Sequence, residues 1–164
     1  MIARTLLVGG SGSLLSLLLL GAMTPASFGQ TPLPGGFEIS LLPGFTYEPK
    51  QGFDSIVGEI AKKDGLKIQF EMGRIPAGGL RLGGDFVNQA LHLPEKDRQW
   101  LKEQTAAGGR KIHVAYSKEQ LLIVTTASKT EGVNFTAVAK SPGDVAEVLL
   151  MVLTLAEKKP KADK

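Results

Sequence analysis

Two neighbouring residues, Asp54 and Ser55, have side chains that could take part in nucleophilic chemistry. A serine nucleophile needs a base, usually a histidine, and a pair of oxyanion donors. The two histidines of the chain, His92 and His113, lie far along the sequence, and no Gly-x-Ser-x-Gly elbow surrounds Ser55. We therefore interpret Asp54 as a residue that caps a turn ahead of a strand, and we predict no catalytic residue.

The glycine-rich residues 73–93 are the first candidate for a ligand site, because they include two Gly-Gly pairs together with Arg74 and Arg81. Guanidinium groups and free backbone amides suit an anion. The segment has neither the Lys-Ser/Thr pair of a phosphate-binding loop nor a dinucleotide fingerprint, so a flexible loop is the favoured alternative. If a ligand binds, we predict that Arg74, Arg81, Asp54 and His92 bind it.

The chain has no cysteine. This excludes disulfides, thiol catalysis and thiolate metal sites, so stability has to come from a packed core. The histidines and carboxylates show no metal-ligand spacing, and we predict no metal and no cofactor. A zinc site of His92, His113 and a carboxylate stays open as an alternative that no motif supports.

The N-terminus has the layout of a secretory signal peptide. Arg4 precedes a long uncharged run that is richest in leucine at residues 14–20 and is followed by small residues. Cleavage after Ala26 or after Gly29 fits the small-residue rule. Glycines shorten the strongly apolar part below the ~20 residues of a spanning helix, which disfavours a membrane anchor. We predict that residues 1–29 are a signal peptide, that the protein is exported to the periplasm or outside a bacterial cell, and that no stable membrane span is left after cleavage.

The charge balance argues against a nucleic-acid partner. The whole chain has 19 basic and 16 acidic residues, and Arg4 is the one charged residue before residue 30. From residue 30 onwards there are thus 18 basic and 16 acidic residues, a net charge of +2. So small a charge gives no strong field to attract a polyanion. The expected partner is an envelope or extracellular protein or a small ligand.

Apolar residues alternate from Ile56 to Met72, which predicts a hairpin with one buried face. A three-residue loop places Ile60 opposite Ile68 and Gly58 opposite Phe70, so that each strand turns its apolar side to the core. A slip of one residue would reverse this, which makes the register well specified.

Two further strands follow in "KIHVAY" and "LLIVTT", with Tyr116 opposite Leu121, and a third over residues 133–139. Between the two groups, we predict a helix over residues 94–106, because Pro94 and two acidic residues suit a helix start. The competing interpretation is a strand over residues 100–105.

The C-terminal element is predicted as a helix. Ser141 can cap it, Asp144 follows three residues later, and Val145, Val148 and Val152 recur at helical spacing. Such an amphipathic helix is expected to pack on a sheet.

These elements predict an α+β fold: an antiparallel twisted sheet of about five strands with the C-terminal helix packed on one face. We assign residues 45–157 to this single domain, which would begin with a strand at Phe45. Residues 30–44 are predicted to be a Pro/Gly-rich arm, and residues 158–164 a charged tail.

The stretches "LPGFTYEPKQGFDSIVGEIAKKDGLKIQFEMG" and "VLLMVLTL" resemble small exported bacterial proteins of uncharacterised function. The shared features are a Gly-x-Asp-Ser-x-Val-Gly strand and a closing Leu-Met-Val-Leu helix. The resemblance implies export and a shared fold, and it implies no activity. We expect an exported, non-enzymatic protein that binds a partner or ligand in the cell envelope. The alternative is a small hydrolase or anion-binding module that uses the loop of residues 73–93.

Overall fold

The computed structural model describes residues 29–63, 65–75, 87–106 and 109–158. Within these ranges it has ten strands, one helix of three turns and one single-turn helix. In chain order the elements are β1 (Gln30–Leu33), β2 (Phe37–Ser40), β3 (Phe45–Lys50), β4 (Ile56–Lys62), β5 (Lys67–Arg74), α1 (Gln89–His92), β6 (Trp100–Thr105), β7 (Lys111–Ser117), β8 (Gln120–Thr126), β9 (Glu131–Val138), α2 (Pro142–Leu153) and β10 (Ala156–Glu157). Short 3-10 turns lie at Pro34–Gly36 and Glu95–Asp97.

The main sheet has seven strands in the order β3-β4-β5-β9-β8-β7-β6, and a smaller sheet has the order β1-β2-β10. All neighbouring strands are antiparallel. The antiparallel pairing agrees with the prediction, but a single sheet of about five strands is wrong. The protein is mostly β because two regions, together with the short strand β10, form strands that the main prediction did not include.

The first of these regions is the Pro/Gly-rich segment of residues 30–44. It forms the hairpin of β1 and β2, in which Phe37 and Ile39 are buried. Its prolines and glycines lie at the turns and at the strand edge, where neither a missing N–H nor an unusual φ disrupts pairing. Gly35 and Gly36 both have positive φ in the turn between the two strands.

The second region is residues 94–106, where the predicted helix is wrong and the competing strand is confirmed. β6 pairs with β7, and Trp100 stacks on its partner Tyr116 with ring centroids 5.6 Å apart. The helix would have had too few apolar residues on one side to pack. A strand at the edge of the sheet needs only Trp100 and Leu101 partly buried, one on each face.

The two predicted registers are confirmed. Ile60 pairs with Ile68, Gly58 with Phe70 and Tyr116 with Leu121. A Cβ on Gly58 would lie 2.6 Å from two atoms of the Phe70 ring, so a glycine is required where this ring crosses the strand.

The predicted cap of α2 is confirmed. The Asp144 N–H donates to the Ser141 hydroxyl at 3.1 Å, and the Ser141 N–H donates to the Asp144 carboxylate at 3.0 Å. At the other end, the Arg110 guanidinium donates to the Leu153 and Leu155 carbonyls at 3.0 and 2.7 Å. Burial lowers the pKa of Arg110, since it removes water from the charged group.

One apolar core joins the two sheets and α2. Ile68 and Phe135 of the main sheet pack in it with Val148 of α2 and Phe37 of the small sheet. We call this side of the main sheet the inner face and the opposite side the outer face. In the part of the chain that the structure describes, no helix is long and apolar enough to cross a membrane.

Candidate ligand-binding site

The structure brings two of the four predicted site residues together. Asp54 and Arg74 both line a cavity of about 300 Å³, at the end of the main sheet where β5 ends and β9 begins. Glu131 also lines it and is the cross-strand partner of Arg74. His92 does not line this cavity, and Arg81 lies outside the described residues.

Among the described residues, Ser55 has no hydrogen bond to a histidine. Its hydroxyl donates to a carboxylate oxygen of Glu71 at 3.1 Å. His92 is exposed at the end of α1, which packs on β7 and β8. Among the described residues, no three histidine, aspartate or glutamate side chains are placed to hold a metal ion.

The second histidine, His113, belongs to a buried polar network. Its Nδ1 lies 2.8 Å from Asn88 Nδ2, and its Nε2 lies 3.1 Å from a Glu103 carboxylate oxygen. The Asn88 carbonyl oxygen accepts the Leu91 N–H, so the Asn88 amide nitrogen is the donor to Nδ1. The imidazole proton is then on Nε2 and is donated to Glu103. Lys111, 2.8 Å from Glu103, holds the pKa of that carboxyl below its usual range.

This network fastens residues 87–93, the covering segment, to the outer face of the sheet. Asn134 donates to the Val87 carbonyl at 2.9 Å and accepts the Gln89 N–H at 3.2 Å. Ala90 of the segment packs with Ala115, Leu122 and Val124 of the sheet in a small apolar cluster. His113 is therefore a structural residue of the sheet with both ring nitrogens hydrogen-bonded.

A larger cavity, of about 720 Å³, lies at the opposite end of the same strands. Since β5, β9 and β8 are antiparallel neighbours, the starts of β5 and β8 and the end of β9 meet at one end of the sheet. Lys67 begins β5, Lys118 lies two residues before β8, and Lys140 lies two residues after β9. We call the space that Lys67, Lys118 and Lys140 line the lysine cavity.

The backbone fixes the positions of two of these lysines. Lys118 and Glu119 form the two-residue turn between β7 and β8, and both have positive φ, as the tightest hairpin turns require. The Ala139 N–H donates to the Glu119 carbonyl at 2.6 Å and ties this turn to the end of β9. Lys140 comes next and leads directly into the cap of α2.

Positive charge dominates the lysine cavity. Asp144 also lines it, but one of its carboxylate oxygens accepts the backbone N–H groups of Lys140 and Ser141, at 2.8 and 3.0 Å. Lys67 reaches Glu59 at 3.9 Å, the outer limit of an ion pair. Val138 is 58% exposed within the lining. The cavity is thus suited to carboxylates or other anions beside a small apolar contact.

Sequence reasoning missed these lysines because no motif joins them. Lys67 follows the β4–β5 loop, Lys118 lies in the β7–β8 turn, and Lys140 lies between β9 and the cap of α2. β8 and β9 form a local hairpin, but the pairing of β5 with β9, which brings Lys67 to the other two lysines, joins distant parts of the chain and has no local signature.

No family model matches the chain, and no curated protein matches it. Among solved structures, the fold is similar to the solution structure of cyanobacterial PsbP (CyanoP) from Synechocystis sp. PCC 6803. The TM-score is 0.53 at 12% sequence identity, and the match covers 82% of this chain and 95% of that chain. At this level of sequence identity, the similarity shows a shared fold and nothing more.

Proposed function

We propose that the protein is exported and acts by binding rather than by catalysis, with an acidic partner of the cell envelope or extracellular space bound in the lysine cavity. The observation that carries the proposal is the meeting of three lysines from three separate connections around one cavity of about 720 Å³. Like charges placed together repel one another, and an anionic group between them relieves that repulsion.

The cavity beside the glycine-rich loop is a weaker candidate for the site. A hydrolase that uses Asp54, Arg74 and His92 needs these side chains around one substrate, and His92 does not line the cavity of the other two. The lysine cavity is more than twice as large and holds a net positive lining. An acidic ligand therefore has its best-supported place there.

Export rests on the N-terminal pattern of Arg4, the leucine-rich run and the small residues before residue 30. Expression of the full chain in a bacterium, followed by fractionation and intact-mass measurement, tests it. We expect a secreted or periplasmic product cleaved after Ala26 or Gly29. A full-length product that stays in the cytoplasm contradicts export.

Binding is tested with the processed protein and an oligoglutamate peptide, by calorimetry at low ionic strength, where surface charges are least screened. We expect binding that weakens as salt is added and that is lost when Lys67, Lys118 and Lys140 are all changed to Glu. An oligolysine peptide should not bind.

The matched control changes Lys96, Lys102 and Lys129 to Glu, which alters the net charge equally at exposed lysines outside the cavity. The control should keep most of the affinity. Equal losses of affinity in the two triple variants would mean that binding depends on net charge alone. If oligoglutamate does not bind to the wild type, the lysine cavity is rejected as the site.

A further inference from the structure

The lysine cavity continues into a second cavity on the outer face of the sheet. This middle cavity has a volume of about 370 Å³. Gln69 and Thr136 line both cavities, and they are cross-strand partners on β5 and β9. The two spaces therefore form one groove that runs along these strands.

The two ends of the groove carry opposite charges. The lysine cavity forms the positive end, while Glu59 and Glu71 line the middle cavity. Lys50 lines the middle cavity as well, but its ammonium group is paired with Glu48 at 2.8 Å. Glu59 lies 3.9 Å from Lys67 of the positive end, so the negative charge of the far end is carried mainly by Glu71.

Between the ends, the lining is made of side chains that both donate and accept hydrogen bonds. Gln69 and Thr136 lie at the centre, and Gln89 of the covering segment forms one side, where its carbonyl oxygen accepts the Thr136 hydroxyl at 3.2 Å. Amide side chains of this kind can bond to the N–H and C=O groups of a peptide backbone.

We propose that this groove binds an extended polypeptide segment whose acidic side chains lie at the lysine end and whose basic side chain or amino group lies between Glu59 and Glu71. The inference rests on the proposed function, because the acidic part of the segment occupies the lysine cavity. Lys67 and Glu71 are four residues apart on β5, or about 13 Å at the rise of a strand, which corresponds to four or five residues of extended peptide. An anionic glycan lacks the positive group that the far end requires.

The test uses the processed protein and three peptides with the same acidic content. The first, Lys-Lys-Ser-Gly-Ser-Glu-Glu, carries both charges with a spacer between them, and the second is its reversed sequence, which covers the other chain direction. The third, the acidic peptide Ser-Ser-Ser-Gly-Ser-Glu-Glu, lacks the lysines. We expect one of the two-charge peptides to bind about two- to tenfold more tightly than the acidic one, as two partly exposed ion pairs would give.

The gain should vanish in a double variant, Glu59→Gln with Glu71→Gln, whereas binding of the acidic peptide should persist or improve. The Glu71→Gln change keeps an oxygen that can accept the Ser55 hydroxyl, so the variant is expected to fold, which circular dichroism checks. Glu95→Gln with Glu157→Gln, at exposed positions outside the groove, is the control and should retain the gain.

The outcomes separate the two proposals. If the acidic peptide binds and neither two-charge peptide binds more tightly, the extended-segment inference is overturned and the lysine cavity remains a site for acidic groups. A gain that survives in the Gln double variant also overturns the inference. If no peptide binds, both proposals fail together.

Discussion

The outer face of the main sheet differs between its two halves. Over β7 and β8, the covering segment hides Val124 completely, together with its apolar neighbours. Over β5 and β9, charged and amide side chains line the groove, and Val138 is 58% exposed. The two valines are on the same face, so their burial is decided by the covering segment and not by residue type. A single sheet face thus contributes to stability in one half and is available for recognition in the other.

The same substitution in both halves should affect stability very differently. Val124→Ala removes two buried methyl groups and leaves a cavity, and it should lower the free energy of unfolding by about 2–3 kcal/mol. Val138→Ala should change it by less than about 0.5 kcal/mol, because the side chain already contacts water. Urea denaturation of the two variants measures the difference, and similar losses would show that the groove half is buried as well.

The hydrogen bonds that fasten the covering segment predict the next effect. Asn88→Ala removes both the donor to His113 and the acceptor that caps the Leu91 N–H. We expect a loss of about 2 kcal/mol in the free energy of unfolding, since a buried nitrogen is left without that donor.

Hydrogen exchange should show where this loss acts. The amides of residues 89–93 are expected to exchange faster in Asn88→Ala, while those of β4 and β5 keep their protection. Uniformly faster exchange across the main sheet would mean that the covering segment does not open separately from the rest of the protein.

The inner face beneath the groove should be as sensitive as the covered half. Gly58→Ala forces the Phe70 ring to move, because the new Cβ would lie 2.6 Å from it. We expect a loss of about 1–2 kcal/mol by thermal or urea denaturation. Phe70→Leu in the same chain should relieve part of the clash, so the two changes should not be additive. Additive losses would mean that the ring does not contact this position.

The smallest effect on stability is expected in the lysine cavity itself. Changing Lys67, Lys118 and Lys140 to Ala should alter the free energy of unfolding by no more than about 0.5 kcal/mol at each position. Removal of the three charges also removes the repulsion between them, which offsets part of any loss. The midpoint of urea denaturation measures this. A large destabilisation would assign the lysines to the support of the fold.

The sequence alone predicts those structural features that depend on residues close together in the chain. The pairing of Ile60 with Ile68 follows from one short loop and an alternating pattern, and the cap of α2 follows from Ser141 and Asp144 alone. Residues 30–40 and β6 also pair with near neighbours, β1 with β2 and β6 with β7, but the prolines and glycines of the first region and the helix-start pattern at Pro94 favoured other local structures. The lysine cavity was not predicted because it depends on the pairing of β5 with β9, which are far apart along the chain.

The strand pairing of the small sheet affects the order in which the protein folds. Ala156 of β10 pairs with Glu38 of β2. The small sheet therefore cannot be completed until residues near the C-terminus have been synthesised. The order of synthesis gives β2 its β1 partner early, whereas β10 can add to the sheet only after α2 has left the ribosome. Closing so long a loop is slow compared with forming the local hairpins. Docking of α2 and completion of the small sheet should therefore be the last steps of folding, and chains that end before β10 should aggregate more readily than complete ones.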